Sequence, residues 1–293
     1  MAFESSLSYS WDALVKQLAE VHLTLPPASH FRFPPAPLPP TLPPPSDHPT
    51  LAHPFTISHS WYNRMLAPEV PITIALVYVT IVTILNSVNR QRKFKPWAFS
   101  KTTMFKFMVI THNAILAAYS LWTFVGMFNA LNASVEPPWA EYGLAGTVDS
   151  LCKINGPRGY GSAATFNETT SSWGIANHLY RLGPDGRPDQ TDVGRMWNEG
   201  LAFYGWLFYL SKFYEVIDTL IILAKGKKSS FLQTYHHAGA MMCMWAGIRY
   251  MSPPIWMFAL VNSFIHTIMV SLIRWVCFAS LIFASTPSTF AVF

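Results

Sequence analysis

The sequence predicts an all-α, polytopic membrane helix bundle of five or six spans. Three observations predict it. The chain is 51% hydrophobic and only 12% charged, where soluble domains carry about 25% charged residues. Apolar runs of about twenty residues recur, the length that crosses a hydrocarbon core of roughly 30 Å. Basic residues gather between alternate runs, as the rule linking Lys and Arg to cytosolic loops requires. The formal charge of +5 is modest for 293 residues, and no nucleic-acid partner is expected. Cys152 lies in a loop and Cys243 and Cys277 in apolar runs, a spacing with neither a disulfide framework nor a zinc pattern.

Residues 10–25 predict a short amphipathic helix through Trp11, Leu14, Leu18 and Val21. Glu4, Asp12, Lys16 and Glu20 interrupt this segment, so no secretory signal is expected. From Pro26 to Pro54 prolines dominate. They exclude helix and sheet ladders and predict an extended polyproline-type spacer, with a ligand for a proline-binding domain as the alternative.

The first span runs from about Val70 to Val88, followed by Arg90, Arg92, Lys93, Lys95, Lys101 and Lys106 with no acid among them. That loop is cytosolic by the charge rule. The second span, about Met104 to Phe128, carries His112 and Asn113. Residues 129–199 predict a polar luminal loop with two glycosylation sequons, Asn132-Ala133-Ser134 and Asn167-Glu168-Thr169. Asn167, farther from the membrane, is the better acceptor. The third span, about Leu201 to Leu223, ends at the basic turn Lys225-Gly226-Lys227-Lys228. A fourth span covers Phe231 to Tyr250, and Ser252-Pro253-Pro254 turn the chain into a fifth from Ile255. Its apolar character continues through Val270–Phe283, broken only by Arg274. The N-terminus comes out luminal. Three regions result: 1–69 as a luminal segment with its proline-rich linker, 70–269 as the membrane domain with its loop at 129–199, and 270–293 as an apolar tail.

The polar residues inside the spans carry the chemistry. Lys212, Glu215, Asp218 and Thr219 recur at steps of three and four, as do Gln233, His236 and His237, so each set shares one side of its helix. The turn between the two helices is short enough to require an antiparallel hairpin. An ionisable group at the bilayer centre costs about 2.5–3.5 kcal/mol on insertion scales. Several together therefore pair or do chemistry. As structure, His and Gln are polar glue between helices, and Lys212, Glu215 and Asp218 are a self-neutralising ion network. As chemistry, imidazole attacks thioesters or acts as a base near neutral pH. A histidine-rich di-iron site is excluded on ligand count: only His112, His236, His237 and His266 lie in or at the spans, where about eight are needed. Lys225, Lys227 and Lys228 mark topology or hold the phosphates of a coenzyme. A transporter or pH sensor is the competing class, but its polar groups would line a continuous path and not gather at one mouth.

Lys212-x-x-Glu215-x-x-Asp218-Thr219, Gln233-x-x-His236-His237 and Asn262-x-x-x-His266-x-x-Met269 together resemble three motifs of the ELO family of very-long-chain fatty acid elongases. Asn113 and Ser120 match a weaker pair in that family's second span. The resemblance is strong from Phe203 to Met269, moderate over the first two spans, and absent from the first sixty residues and the luminal loop. It implies seven spans, six of them closed around an acyl tunnel in the endoplasmic reticulum membrane. It also implies condensation of acyl-CoA with malonyl-CoA, with no metal or redox cofactor. By the same resemblance His236 takes the acyl group, with His237 and His266 positioning or activating it. Lys212, Glu215, Asp218, Gln233, Asn262 and Asn113 position substrate, and Lys225, Lys227 and Lys228 contact CoA. Partners implied are the bilayer, other enzymes of the elongation cycle, or a second copy of the chain. Gln233, where many members carry His, is similar to elongases that prefer polyunsaturated chains. After Met269 the family pattern gives way to Val270-Ser271 and an unrelated tail. Val-Ser is what a retained intron donor encodes, so the expectation is a read-through ending that replaces the last two spans. An inactive relative that only binds active subunits is the further alternative.

Overall fold

The computed structural model describes residues 39–45, 48–191 and 194–268. The expected helix over 10–25, Met269 and the tail 270–293 lie outside the described residues. The architecture is an all-α membrane bundle with one small hairpin. Its helices are α1 (His59–Met65), α2 (Glu69–Gln91), α3 (Thr103–Ser134), α4 (Gly143–Cys152), α5 (Trp206–Tyr214), α6 (Val216–Ala224), α7 (Phe231–Arg249) and α8 (Ile255–Ile268). α2 and α3 are long and apolar enough to cross a membrane, and at 1.5 Å per residue the 23 residues of α2 reach roughly 35 Å. Ile72, Leu76, Val77, Phe107 and Ile110 project from them fully or half exposed, the apolar surface that lipid would cover.

The third expected span, Leu201–Leu223, is not one continuous α-helix. It opens as a wide turn over Trp197–Gly205, where the Leu201 amide bonds the Met196 carbonyl at 3.0 Å, five residues back. Gly200 causes this: its φ of +144° lies where side chains are rarely tolerated. A Cβ there would stand 3.2 Å from the Tyr204 ring and 3.3 Å from the Ala130 Cβ. A second break falls at Glu215, between α5 and α6.

The chain divides into two compact units. One combines the described parts of Met1–Leu66 with Asn129–Trp206 and Ala246–Ile255. Within it the described stretch 39–45 of the expected proline-rich spacer is a packed strap. Thr41, Leu42, Pro43, Pro44 and Pro45 are buried. Trp197 Nε1 donates to the Leu42 carbonyl at 2.8 Å and Arg249 Nη1 to the Pro39 carbonyl at 3.1 Å. Thr41 donates its hydroxyl to the Arg249 carbonyl at 2.7 Å. Proline has no N–H, so burying it strands no donor, and its carbonyls find donors in these side chains. The expected loop over 129–199 is likewise ordered through its described residues. It holds the last residues of α3, then α4, then the antiparallel hairpin of β1 (Ala164–Asn167) and β2 (Ser172–Ile175), with Asn167 opposite Ser172. Its hub is Arg195, 1% exposed, whose guanidinium donates to Asp149 Oδ2 at 2.5 Å and to the carbonyls of Asp149, Lys153, Pro157 and Gly159 at 2.6–3.0 Å. All five of its donors are used.

The other unit combines Ala67–Phe128, Leu207–Trp245 and the described part of Trp256–Phe293. Its core is Ala75, Tyr78, Val82, Leu223 and Met241, flanked by Phe213, Val216 and Ala238. Asn86 and Asn89, on that same face of α2, fasten the basic turn. Asn86 exchanges two hydrogen bonds with the backbone of Ser229, at 2.9 and 3.2 Å. Asn89 donates to the Leu223 carbonyl at 2.8 Å and accepts from Trp97 Nε1 at 2.9 Å. Gly226 closes the turn at φ +73°, with the Phe94 carbonyl 2.6 Å from where a Cβ would be.

Candidate active site

The site lies within the second unit, on α3, α5, α6, α7 and α8. Lys212 closes α5 and Glu215 occupies the break before α6. Their charged atoms meet at 2.6 Å with side chains only 2% and 6% exposed. Lys212 Nζ also donates to Asn262 Oδ1 at 2.9 Å and lies 3.8 Å over the Phe208 ring. One buried ammonium thus ties α5, the break and α8 together, with its charge opposed by a carboxylate and its remaining face on a π cloud.

Asp218 takes a different partner. Its Oδ1 stands 2.9 Å from His112 Nε2. A carboxylate only accepts, so Nε2 carries the proton of this bond. His112 is 3% exposed and its Nδ1 is buried with no hydrogen-bond partner among the described residues. Asp218 is one-third exposed. The break at Glu215 lets the two acids serve different neighbours, Lys212 on α5 and His112 on α3.

α6 and α7 face each other through Thr219. Its fully buried hydroxyl meets the Tyr78 hydroxyl at 3.0 Å and accepts from Gln233 Nε2 at 3.4 Å. His237, nearly buried at 9% exposure, presents its ring edge-on to Tyr78 with centroids 6.2 Å apart. His236 stands beside it, 5.7 Å between centroids, and is exposed. His266 is half-buried on α8. Glu215, Asp218 and Lys212 all act electrostatically on both His237 and His266. Both histidines therefore stand in the field of the same three charged groups. Asn113 is half-buried beside His112 and joins none of these contacts among the described residues. Lys225, Lys227 and Lys228 are exposed in the turn.

Three participants were not singled out by motif spacing. Tyr78, Asn86 and Asn89 lie on α2 at the three- and four-residue steps of its buried face. That periodicity was a usable signal, because polar residues on the buried side of an apolar helix need partners. The pairing of His112 with Asp218, across 106 positions, had no local signal.

Chemically, the arrangement offers an exposed imidazole next to a buried one, a nearby carboxylate held by a third imidazole, and a neutralised buried ammonium. Such a set can present a nucleophile and manage its proton.

A family model described as ELO: GNS1/SUR4 family matches residues 64–279, past the Met269 boundary at which the motif resemblance stops. Fatty acid elongase sre1 of Dictyostelium discoideum is 39% identical over 70 residues, 24% of this chain and 26% of that protein. Very long chain fatty acid elongase 1 of Homo sapiens is 36% identical over 102 residues, 34% of each chain. Fatty acid elongase 3 of Trypanosoma cruzi is 34% identical over 100 residues, 30% of this chain and 33% of that protein. The matched stretches thus span between a quarter and a third of these relatives. No solved structure matches this chain.

Proposed function

This chain belongs to the ELO (GNS1/SUR4) family, and on that premise we propose that it elongates fatty acids by condensing a long-chain acyl-CoA with malonyl-CoA. The observation that carries the reading is the conjunction of an exposed His236 with the buried polar cluster around it. A cluster of this cost inside a membrane bundle is retained for pairing or chemistry.

The reaction runs in two steps. The His236 imidazole attacks the acyl thioester carbonyl, the C–S bond breaks, and CoA leaves as its thiol with the imidazole proton. Malonyl-CoA then loses CO2, and the resulting enolate attacks the acyl-imidazole carbonyl. The C–N bond breaks, the released imidazole nitrogen takes up a proton from solvent, and a 3-oxoacyl-CoA two carbons longer is released. Decarboxylation supplies the carbanion, so this route calls for neither a metal nor a redox cofactor. His237 and His266 position or activate His236. Lys212, Glu215 and Asn262 fix the frame on which they stand. Asp218, Gln233 and Asn113 orient substrate, and Lys225 and Lys227, the two cations of the turn outside the α2–α7 groove, meet the CoA phosphates. Gln233 donates and accepts hydrogen bonds but cannot titrate, which suits orientation and not acid–base work. We assign an eighteen-carbon polyunsaturated acyl chain on the strength of that residue. The enzyme would lie in the endoplasmic reticulum membrane with its N-terminus luminal.

The test is a condensation assay on microsomes from an elongase-deficient host making this chain. Labelled malonyl-CoA is supplied with saturated and polyunsaturated acyl-CoAs. Wild type extends at least the polyunsaturated substrates and His236→Ala extends none. Failure of wild type to transfer label at normal expression would rule the reading out and put a transporter or an inactive relative ahead.

A further inference from the structure

A second concave site lies on the other side of α7. α2 and α7 enclose a groove of about 600 Å³, lined by Val79, Val82 and Arg90 from α2 and by Lys228, Tyr235 and Ala238 from the turn and α7. Successive helical residues turn by about 100°. Thr234, Tyr235 and Ala238 therefore share a face of α7 from which Gln233 and His236 are turned away. The groove's lining includes none of the histidines or acids of the candidate active site.

Its chemistry is split along its length. Valines and an alanine form the apolar end, and Phe231 and Tyr235 stack along the first turn of α7 with centroids 6.1 Å apart and planes 19° apart. At the other end stand Arg90, at the close of α2, and Lys228, just before α7. No acid lines the groove. Neither cation makes an ion pair among the described residues. The two are held in register from beneath, because Asn86 locks α2 to Ser229, the residue after Lys228. α7 also begins at this end with Phe231, so the positive end of its dipole adds to the field. Two cations without an ion-pair partner among the described residues, above an apolar wall at the end of a membrane span, match an anionic phosphate that carries acyl chains.

We propose that the α2–α7 groove binds an anionic glycerophospholipid, its phosphate between Arg90 and Lys228 and an acyl chain along Val79, Val82 and Ala238. The lipid comes from the leaflet at the basic end of the bundle. It acts as a wedge on the face of α7 opposite Gln233 and His236. The proposal needs the membrane bundle and does not depend on elongase activity.

The experiment is native mass spectrometry of the full chain purified in detergent and titrated with phosphatidylserine or phosphatidylcholine of matched acyl chains. Phosphatidylserine is expected to be retained in preference. Arg90→Gln/Lys228→Gln should weaken its retention about twenty-five-fold, at about five-fold per cation near a membrane surface. Lys225→Gln/Lys227→Gln removes equal charge outside the groove and should weaken retention less than about two-fold. Thr83→Trp, which fills the groove without touching a charge, should also abolish retention. A parallel arm adds free coenzyme A. Equal loss in the two double variants would reduce the effect to surface charge and overturn the site. Equal binding of phosphatidylcholine, or displacement of the lipid by coenzyme A, would overturn the anionic-lipid assignment.

Discussion

At the residue scale, two pairs divide the work of holding the cluster. Lys212 and Glu215 are almost sealed from solvent, so removing one partner leaves an uncompensated charge. Lys212→Met should cost about 3–5 kcal/mol, read as loss of folded, monodisperse protein after detergent extraction. Lys212→Met/Glu215→Gln should restore the yield of folded protein but not activity. A single variant as stable as wild type would show that the pair is not buried as described. The His112–Asp218 bond is more exposed on one side. His112→Phe should lower condensation about ten- to a hundred-fold, the value of a hydrogen bond to a charged group at about 1.5–3 kcal/mol. His112→Gln keeps a donor and should recover part of the loss. The spacing of Lys212, Glu215 and Thr219 was legible because helix geometry is local. Asp218's partner was not, because a bond across 106 positions exists only once the bundle has formed.

At the element scale, the reading from hydropathy placed α2 and α7 to within three residues, since long apolar runs leave the helix no alternative in lipid, and ended α3 at Phe128 where the helix runs on to Ser134. It missed both breaks in the third span. Gly200 and Glu215 interrupt the backbone without interrupting the apolar pattern, so hydropathy is blind to them. The loop over 129–199 was underread for the opposite reason: short polar elements stapled by one arginine carry no periodicity. Its hairpin separates the two sequons. Asn167 is exposed at the hairpin tip, its Oδ1 accepting from the Thr169 and Thr170 amides at 2.9 and 3.3 Å, beside an exposed Thr169. Asn132 lies within α3, and its sequon hydroxyl, on Ser134, is buried and bonded to the Ala130 carbonyl at 2.6 Å. On the luminal assignment, an endoglycosidase mobility shift should vanish in Asn167→Gln and persist in Asn132→Gln. A shift that survives Asn167→Gln would relocate the acceptor, and no shift at all would count against a luminal hairpin.

At the scale of the whole molecule, the proline strap was read as a spacer because proline excludes regular ladders; that argument says nothing about packing. Its unit also has a defined acid weakness. Burial pushes the Asp149 carboxyl up, but hydrogen bonds from Lys153 and Arg195 and the charges of both outweigh it, leaving the group below its ordinary 3.8. A carboxylate depressed in the folded state contributes stability above its unfolded value and loses it as pH falls through the folded one. Limited proteolysis should therefore find cleavage in 143–191 rising only below about pH 4. Asp149→Asn should show that susceptibility already at neutral pH, with little further change on acidification. A wild-type profile flat through pH 3, with folded protein throughout, would contradict the ion pair.

The proposed role of His236 as acyl acceptor is tested by peptide mass spectrometry of the purified chain after incubation with a polyunsaturated acyl-CoA and no malonyl-CoA. An acyl mass is expected on the peptide carrying His236, with free CoA thiol released in equal amount and discharge of the adduct with CO2 release when malonyl-CoA is added. An unmodified His236 with no thiol released, in a preparation that condenses once malonyl-CoA is present, would contradict it.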